Sequence, residues 1–214
     1  MKGLMRNNFF AVCANAKVFS IFMLVFGIFS VAVVSQSLQI GYVLIGIIGF
    51  SVNGIFVAKN GFGSKWGKYK LTLPVKRADI VKSLFWNQII WMLAGTAFGG
   101  IEIGLSTLLH GCAFDFPIDI LSLFTMGISI SLFLGALFLP LFYLGGEERC
   151  EVLLVIALLC AFGFDFVIIS VCNELFDPGV IGILLGNLVL LVCPLLAFAL
   201  SYPVTVGIFK RKEY

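Results

Sequence analysis

Glu102 and Asp165 are carboxylates set inside long apolar runs. Ionising such a group in lipid is costly, so each must face protein, face a wet cavity or hold a proton. Two readings follow. In one, they line a polar route through a membrane. In the other, each takes a structural hydrogen bond from a Ser, an Asn or the backbone of another helix. The residue types leave both open, and Asn53, Asn87 and Asn187 invite the same pair of readings.

Other chemistries find no support. Gly67-Lys68 lies in GFGSKWGKYK. A phosphate-binding loop needs Gly five positions before the second Gly and Ser or Thr after the Lys. Those positions hold Phe62 and Tyr69, so the match fails twice and no nucleotide site is expected. No G-x-S-x-G or HExxH motif occurs, which leaves hydrolytic centres of those types without residues. His110 is the single histidine. Cys13, Cys112, Cys150, Cys160, Cys172 and Cys193 are scattered, with no CxxC pair. Neither a disulfide framework nor a zinc site is expected.

The elements that hold these residues are apolar. The chain has 214 residues, 61% hydrophobic and 12% charged, with mean hydropathy +1.12. Soluble domains carry about 25% charged residues, so a bundle of membrane-spanning helices is expected. A membrane barrel would alternate polar and apolar positions, and none of the runs does so. Six spans are predicted, at about 18–34, 39–58, 84–108, 119–144, 152–173 and 180–208, each near or above the ~20 residues that cross a bilayer. Met1 to Lys17 reads as an N-terminal interfacial helix, with Met5, Phe9, Val12, Cys13 and Ala16 at helical spacing. No cleavable signal peptide is expected there. No fixed-period repeat appears, and residues 1–214 read as one transmembrane domain.

Basic residues assign orientation, because Lys and Arg are retained on the cytoplasmic side. With the N-terminus inside, the four inner segments hold 3, 7, 1 and 3 basic residues, which is all 14 in the chain. The outer loops hold none. Shifting the frame by one span destroys this division, so both termini are expected inside. Glu102 then lies roughly 9 Å, and Asp165 roughly 12 Å, from the outer ends of their helices. No Lys or Arg is available at that depth.

Within the third span, Gly95/Gly99 and Gly100/Gly104 are GxxxG pairs, as are Gly182/Gly186 in the sixth. Such spacing permits close helix approach.

The longest polar interval is Lys59 to Lys82, KNGFGSKWGKYKLTLPVKRADIVK. Retention of positive charge explains its seven basic residues. It leaves Trp66, Tyr69, Leu71, Leu73 and Pro74 unexplained. Those five suit either interfacial anchoring or an amphipathic turn that docks on a soluble partner.

The run Trp66-Gly-Lys-Tyr69-Lys-Leu71-Thr-Leu73-Pro74-Val75-Lys-Arg77-Ala-Asp-Ile80-Val81-Lys82 resembles the signature of small bacterial ABC-2 type permeases. The resemblance extends to the six-span plan. It implies the permease subunit of an ATP-binding-cassette exporter in a bacterial plasma membrane, moving an amphipathic or hydrophobic substrate, with a peptide as the expected cargo. Residues 59–82 would supply a cytoplasmic coupling helix, with Trp66 to Pro74 forming or flanking it, seated on a separate ABC ATPase subunit. That subunit would bind ATP and Mg, and this chain would need no cofactor. A second permease subunit, identical or related, would complete the usual twelve spans. Nucleic acid is not an expected partner. The rival reading is a non-transporting assembly or sensor protein whose basic loop binds lipid or a regulator.

Overall fold

The computed structural model describes residues 2–33, 35–62, 77–111, 114, 116–146, 148–176 and 179–211. These form an all-α membrane protein with six helices: α1 (Lys2–Val33), α2 (Gln36–Phe62), α3 (Arg77–His110), α4 (Pro117–Gly145), α5 (Cys150–Leu175) and α6 (Val180–Arg211). All six are long and apolar enough to cross a membrane. A helix is the form that satisfies every backbone group within one spanning segment.

Local chemistry sets several ends. Pro117 opens α4, where a missing amide costs nothing and its fixed φ suits the first turn. Gly111, with φ +88°, ends α3 and donates its amide to the Thr107 carbonyl. An L side chain rarely adopts that conformation.

Helix α1 contains the expected N-terminal helix. Residues 2–17 are helical, but no break separates them from the first span. Asn8, Val12 and Ala16, one turn apart, are buried. The Asn8 amide donates to Ser83 Oγ over 3.0 Å, and Phe9 stacks on Trp91 with centroids 5.4 Å apart. The first half of α1 therefore packs along α3, and lipid is not its only neighbour.

Among the described residues, basic side chains lie at or beside helix ends that touch one another. Asn8 and Ser83 join the starts of α1 and α3. Lys59 near the end of α2 pairs with Glu151 at the start of α5, 2.8 Å apart. Tyr143 and Phe209 pack at the ends of α4 and α6, with centroids 5.0 Å apart.

Helix α4 is the hub. Buried positions make up 61% of it, against 17% of α5, and it packs against α2, α5 and α6 and more lightly against α3. It also carries Pro140, whose ring removes the amide that would bond the Ala136 carbonyl. Ser201 of α6 donates its hydroxyl to that carbonyl over 2.6 Å. The gap in one helix is thus closed by its neighbour, as a low-dielectric surround demands. Helix α5 is held by a thin seam of Ala157, Ala161 and Asp165, one turn apart and all buried.

The glycine pairs separate. Gly95 is buried against α2, where an added Cβ would come within 2.6 Å of the Gly46 carbonyl oxygen and 2.8 Å of the Ile47 Cα. Gly99 faces Val43 and Phe124. Gly100 and Gly104 look into open space. A Cβ on Gly186 would meet Cys172 at an ordinary 3.7 Å.

Candidate functional site

Among the described residues, Glu102 and Asp165 do not share a cavity. Glu102 projects from α3 toward α1, and its Oε1 accepts the Ser30 hydroxyl over 2.7 Å. Asp165 projects from α5 toward α4, and its Oδ1 accepts the Ser129 hydroxyl over 2.6 Å. Both carboxyls are buried. The second oxygen of each, Glu102 Oε2 and Asp165 Oδ2, is buried with no hydrogen-bond partner among the described residues. Each acid therefore ties two helices together and retains one uncommitted oxygen.

Two cavities lie toward the face opposite the basic one. One, of about 480 Å³, sits where α2, α4, α5 and α6 meet. Asp119, Gln36, Ser122, Asn173 and Asn187 supply its polar lining among apolar side chains. Asn187 is fixed there by donating to Ser122 Oγ over 2.8 Å. The other, of about 420 Å³, is a slot between α1 and α3 with Tyr42 of α2 at its back. Glu102 lines this slot; Asp165 lines neither cavity.

A third polar feature lies in the packed interior of α2, α3 and α4. Asn87 Nδ2 donates to the Gly54 carbonyl over 2.8 Å. Gln88 Nε2 donates to the Ser131 carbonyl over 2.9 Å and approaches Ser51 Oγ at 3.5 Å. Asn87 Oδ1, Gln88 Oε1, Trp91 Nε1 and Ser131 Oγ are buried there with no partner among the described residues. Uncommitted polar groups in an apolar interior carry a desolvation cost. Asn53, by contrast, bonds the Gly49 carbonyl of its own helix over 2.9 Å.

Sequence reading singled out Asn87 and Asn187 and missed Gln88, Gln36 and Asp119. Gln88 stands within an apolar run and carried the same signal as Asn87. Gln36 and Asp119 sit at helix starts, where a polar side chain is ordinary. The serines that meet Glu102 and Asp165 gave no signal, since a hydroxyl in a span is cheap and common.

Trp66, Tyr69, Leu71, Leu73 and Pro74 lie outside the described residues. The interval that carries them leaves α2 after Phe62 and rejoins at Arg77 of α3, both on the basic face.

Comparison with curated proteins and with solved structures returned no match. One family model, described as ABC-2 family transporter protein, matches residues 3–210. That match covers nearly all of the chain and includes every helix described above, so the chain belongs to the ABC-2 family of transporter proteins.

Proposed function

We propose that the chain is the permease subunit of an ABC exporter that moves an amphipathic or hydrophobic cargo, a peptide being the expected class, out of a bacterial cell. Family membership over residues 3–210 carries the permease assignment. The mixed lining of the 480 Å³ cavity, apolar with Asp119 and three amides, suits an amphipathic cargo. In this reading the basic face is cytoplasmic and both termini lie there. Two copies, or this chain and a related one, form the translocation unit.

The chain has no nucleotide motif, so its work enters from a separate ABC ATPase that binds ATP and Mg. Residues 59–82 take the role of the coupling segment, with Trp66, Tyr69, Leu71, Leu73 and Pro74 as its apolar contacts. The Lys59–Glu151 pair supports this role, because it links the root of the segment to α5. Closure of the ATPases would then move α2 and α3 and alternate access between the two faces.

The test is co-purification of the chain with a co-expressed ABC ATPase, followed by ATP-dependent efflux from reconstituted vesicles. Stable association with ATP-driven release supports the reading. Failure to bind any such ATPase, together with binding of the 59–82 segment to anionic vesicles, supports the assembly or sensor alternative.

A further inference from the structure

The slot between α1 and α3 combines features that simple helix packing does not require. Its walls are apolar: Leu24, Ile28 and Val31 on one side, Phe98, Ile101 and Leu105 on the other. Ile28 and Ile101 are 73% and 64% exposed, so the slot opens sideways, where lipid would be. From Phe98 to Leu109 its wall runs about 16 Å along α3 at 1.5 Å per residue. At its back lies Glu102, only 3% exposed. Oε1 of Glu102 is taken by Ser30, and Oε2 has no partner among the described residues.

A buried carboxylate oxygen needs a donor. The chain supplies no cationic one at this depth, although the neutral Tyr42 hydroxyl lines the same slot. Every Lys and Arg lies in the segments of the basic side or on the first half of α1. His110 is exposed at the end of α3, about two turns beyond Glu102. An occupant that fits must carry an apolar chain for the walls and a cationic nitrogen for the carboxylate. A charge-assisted N–H bond to a carboxylate is about twice as strong as a neutral one. An anionic amphiphile would meet a like charge, and a neutral alcohol would give a weaker bond.

We propose that this slot is a lateral binding site for a long-chain ammonium, meaning an apolar chain that ends in a protonated amine, with Glu102 as its counter-ion and Ser30 and Tyr42 holding the carboxylate and the back of the slot. The site lies apart from the cavity at the meeting of α2, α4, α5 and α6, and its exposed Ile28 and Ile101 give it a sideways opening to the bilayer. It deepens the export reading by giving Glu102 a cargo chemistry. It does not require that reading, because binding is measurable on the permease alone.

The experiment uses the full chain in lipid nanodiscs, without ATPase, and a dodecylamine bearing a terminal diazirine as the probe. After photolysis, labelled peptides are read by mass spectrometry. Label is expected on α1 and α3 residues of the slot, displaced by unlabelled dodecylamine at a concentration at least tenfold lower than dodecanol requires. Glu102→Gln should reduce the labelling at least fivefold. Ala32→Trp, which narrows the slot and leaves the carboxylate in place, should do the same. Elution as a single species by size-exclusion chromatography verifies folding of each variant. Equal displacement by amine and alcohol, or undiminished labelling of Glu102→Gln, overturns the proposal and makes the slot ordinary lipid-facing surface. Absent labelling in a chain that elutes as a dimer overturns it in favour of a second copy covering the slot. Absence of ATP-driven release in the separate vesicle assay with the ATPase, with labelling intact in nanodiscs, would count against the export reading and leave the binding site standing.

Discussion

The Ser201 hydroxyl sits 2.6 Å from the Ala136 carbonyl, the one acceptor in α4 that Pro140 strips of its amide. The two helices α4 and α6 are thereby joined at a backbone group that would otherwise be buried and unpaired. Ser201→Ala should destabilise the fold by about 0.5–2 kcal/mol. Pro140→Ala should remove most of that penalty, since the new amide can bond Ala136 within α4. Unfolding of the single and double variants in mixed micelles measures both effects. Simple additivity of the two would show that the bond is incidental.

Gly95 and Gly100 share a spacing motif but not an environment. Gly95→Ala forces a methyl against the Gly46 backbone, and overpacking of this kind costs about 1–3 kcal/mol. Gly100→Ala and Gly104→Ala meet open space. They should be neutral, or stabilise by up to about 1 kcal/mol through helix propensity. Thermal unfolding in detergent distinguishes the two classes. If Gly100→Ala disrupts assembly in native membranes while the isolated chain is unaffected, that face meets a second subunit.

Asp165 allows its two readings to be separated. Asp165→Ala leaves the buried Ser129 hydroxyl without its acceptor and should cost about 1–3 kcal/mol. Asp165→Asn keeps an oxygen for Ser129 and should fold nearly as well as the parent. A drop in substrate-stimulated ATPase activity for Asp165→Asn at equal stability would mark a transport role. Normal transport by Asp165→Asn, with only the alanine variant impaired, would make the residue a helix tie.

The orientation is testable by cysteine labelling. Cys150 is buried and is a poor reporter despite its place near the polar turn. Arg149 and Glu174 are exposed at opposite ends of the α5 region. In a cysteine-free background, Arg149→Cys should react with an impermeant maleimide only after the cells are opened. Glu174→Cys should react in intact cells. The reverse pattern would invert the proposed topology.

Residues 59–82, in their proposed coupling role, make a prediction about their side chains. Binding energy at interfaces concentrates in a few apolar anchors, each worth ~2 kcal/mol or more on truncation. Trp66→Ala or Tyr69→Ala should therefore release the ATPase while the permease still inserts. Lys65→Gln with Lys68→Gln should mainly alter association rate and salt sensitivity. Co-purification at matched expression is the measurement. Retained binding by the aromatic variants, with loss in the lysine variants, would make the contact electrostatic.

The six spans were legible because hydropathy and the placement of basic residues are local properties of the chain. The helix ends were less so. Predicted spans of about 39–58 and 84–108 became Gln36–Phe62 and Arg77–His110, since a helix continues past the apolar run when its flanking turns pack on a neighbour. The division between Gly95 and Gly100 was not legible, because spacing states that two residues share a face and not what the face meets. The same limit applied to Glu102 and Asp165. Their types announced buried carboxylates at similar depth, but only the packing placed one against α1 and the other against α4.

The bond between Gln88 and Ser131 has a consequence for how the chain is made. The donor lies on α3 and its nearer acceptor on α4, 43 residues later. A ribosome delivering the chain in order presents the Gln88 amide to the bilayer before that acceptor exists, with only the longer Ser51 contact on α2 available. The first three helices alone therefore leave the Gln88 amide without its shorter bond. Helix α4 is the piece that completes the polar interior of its predecessors.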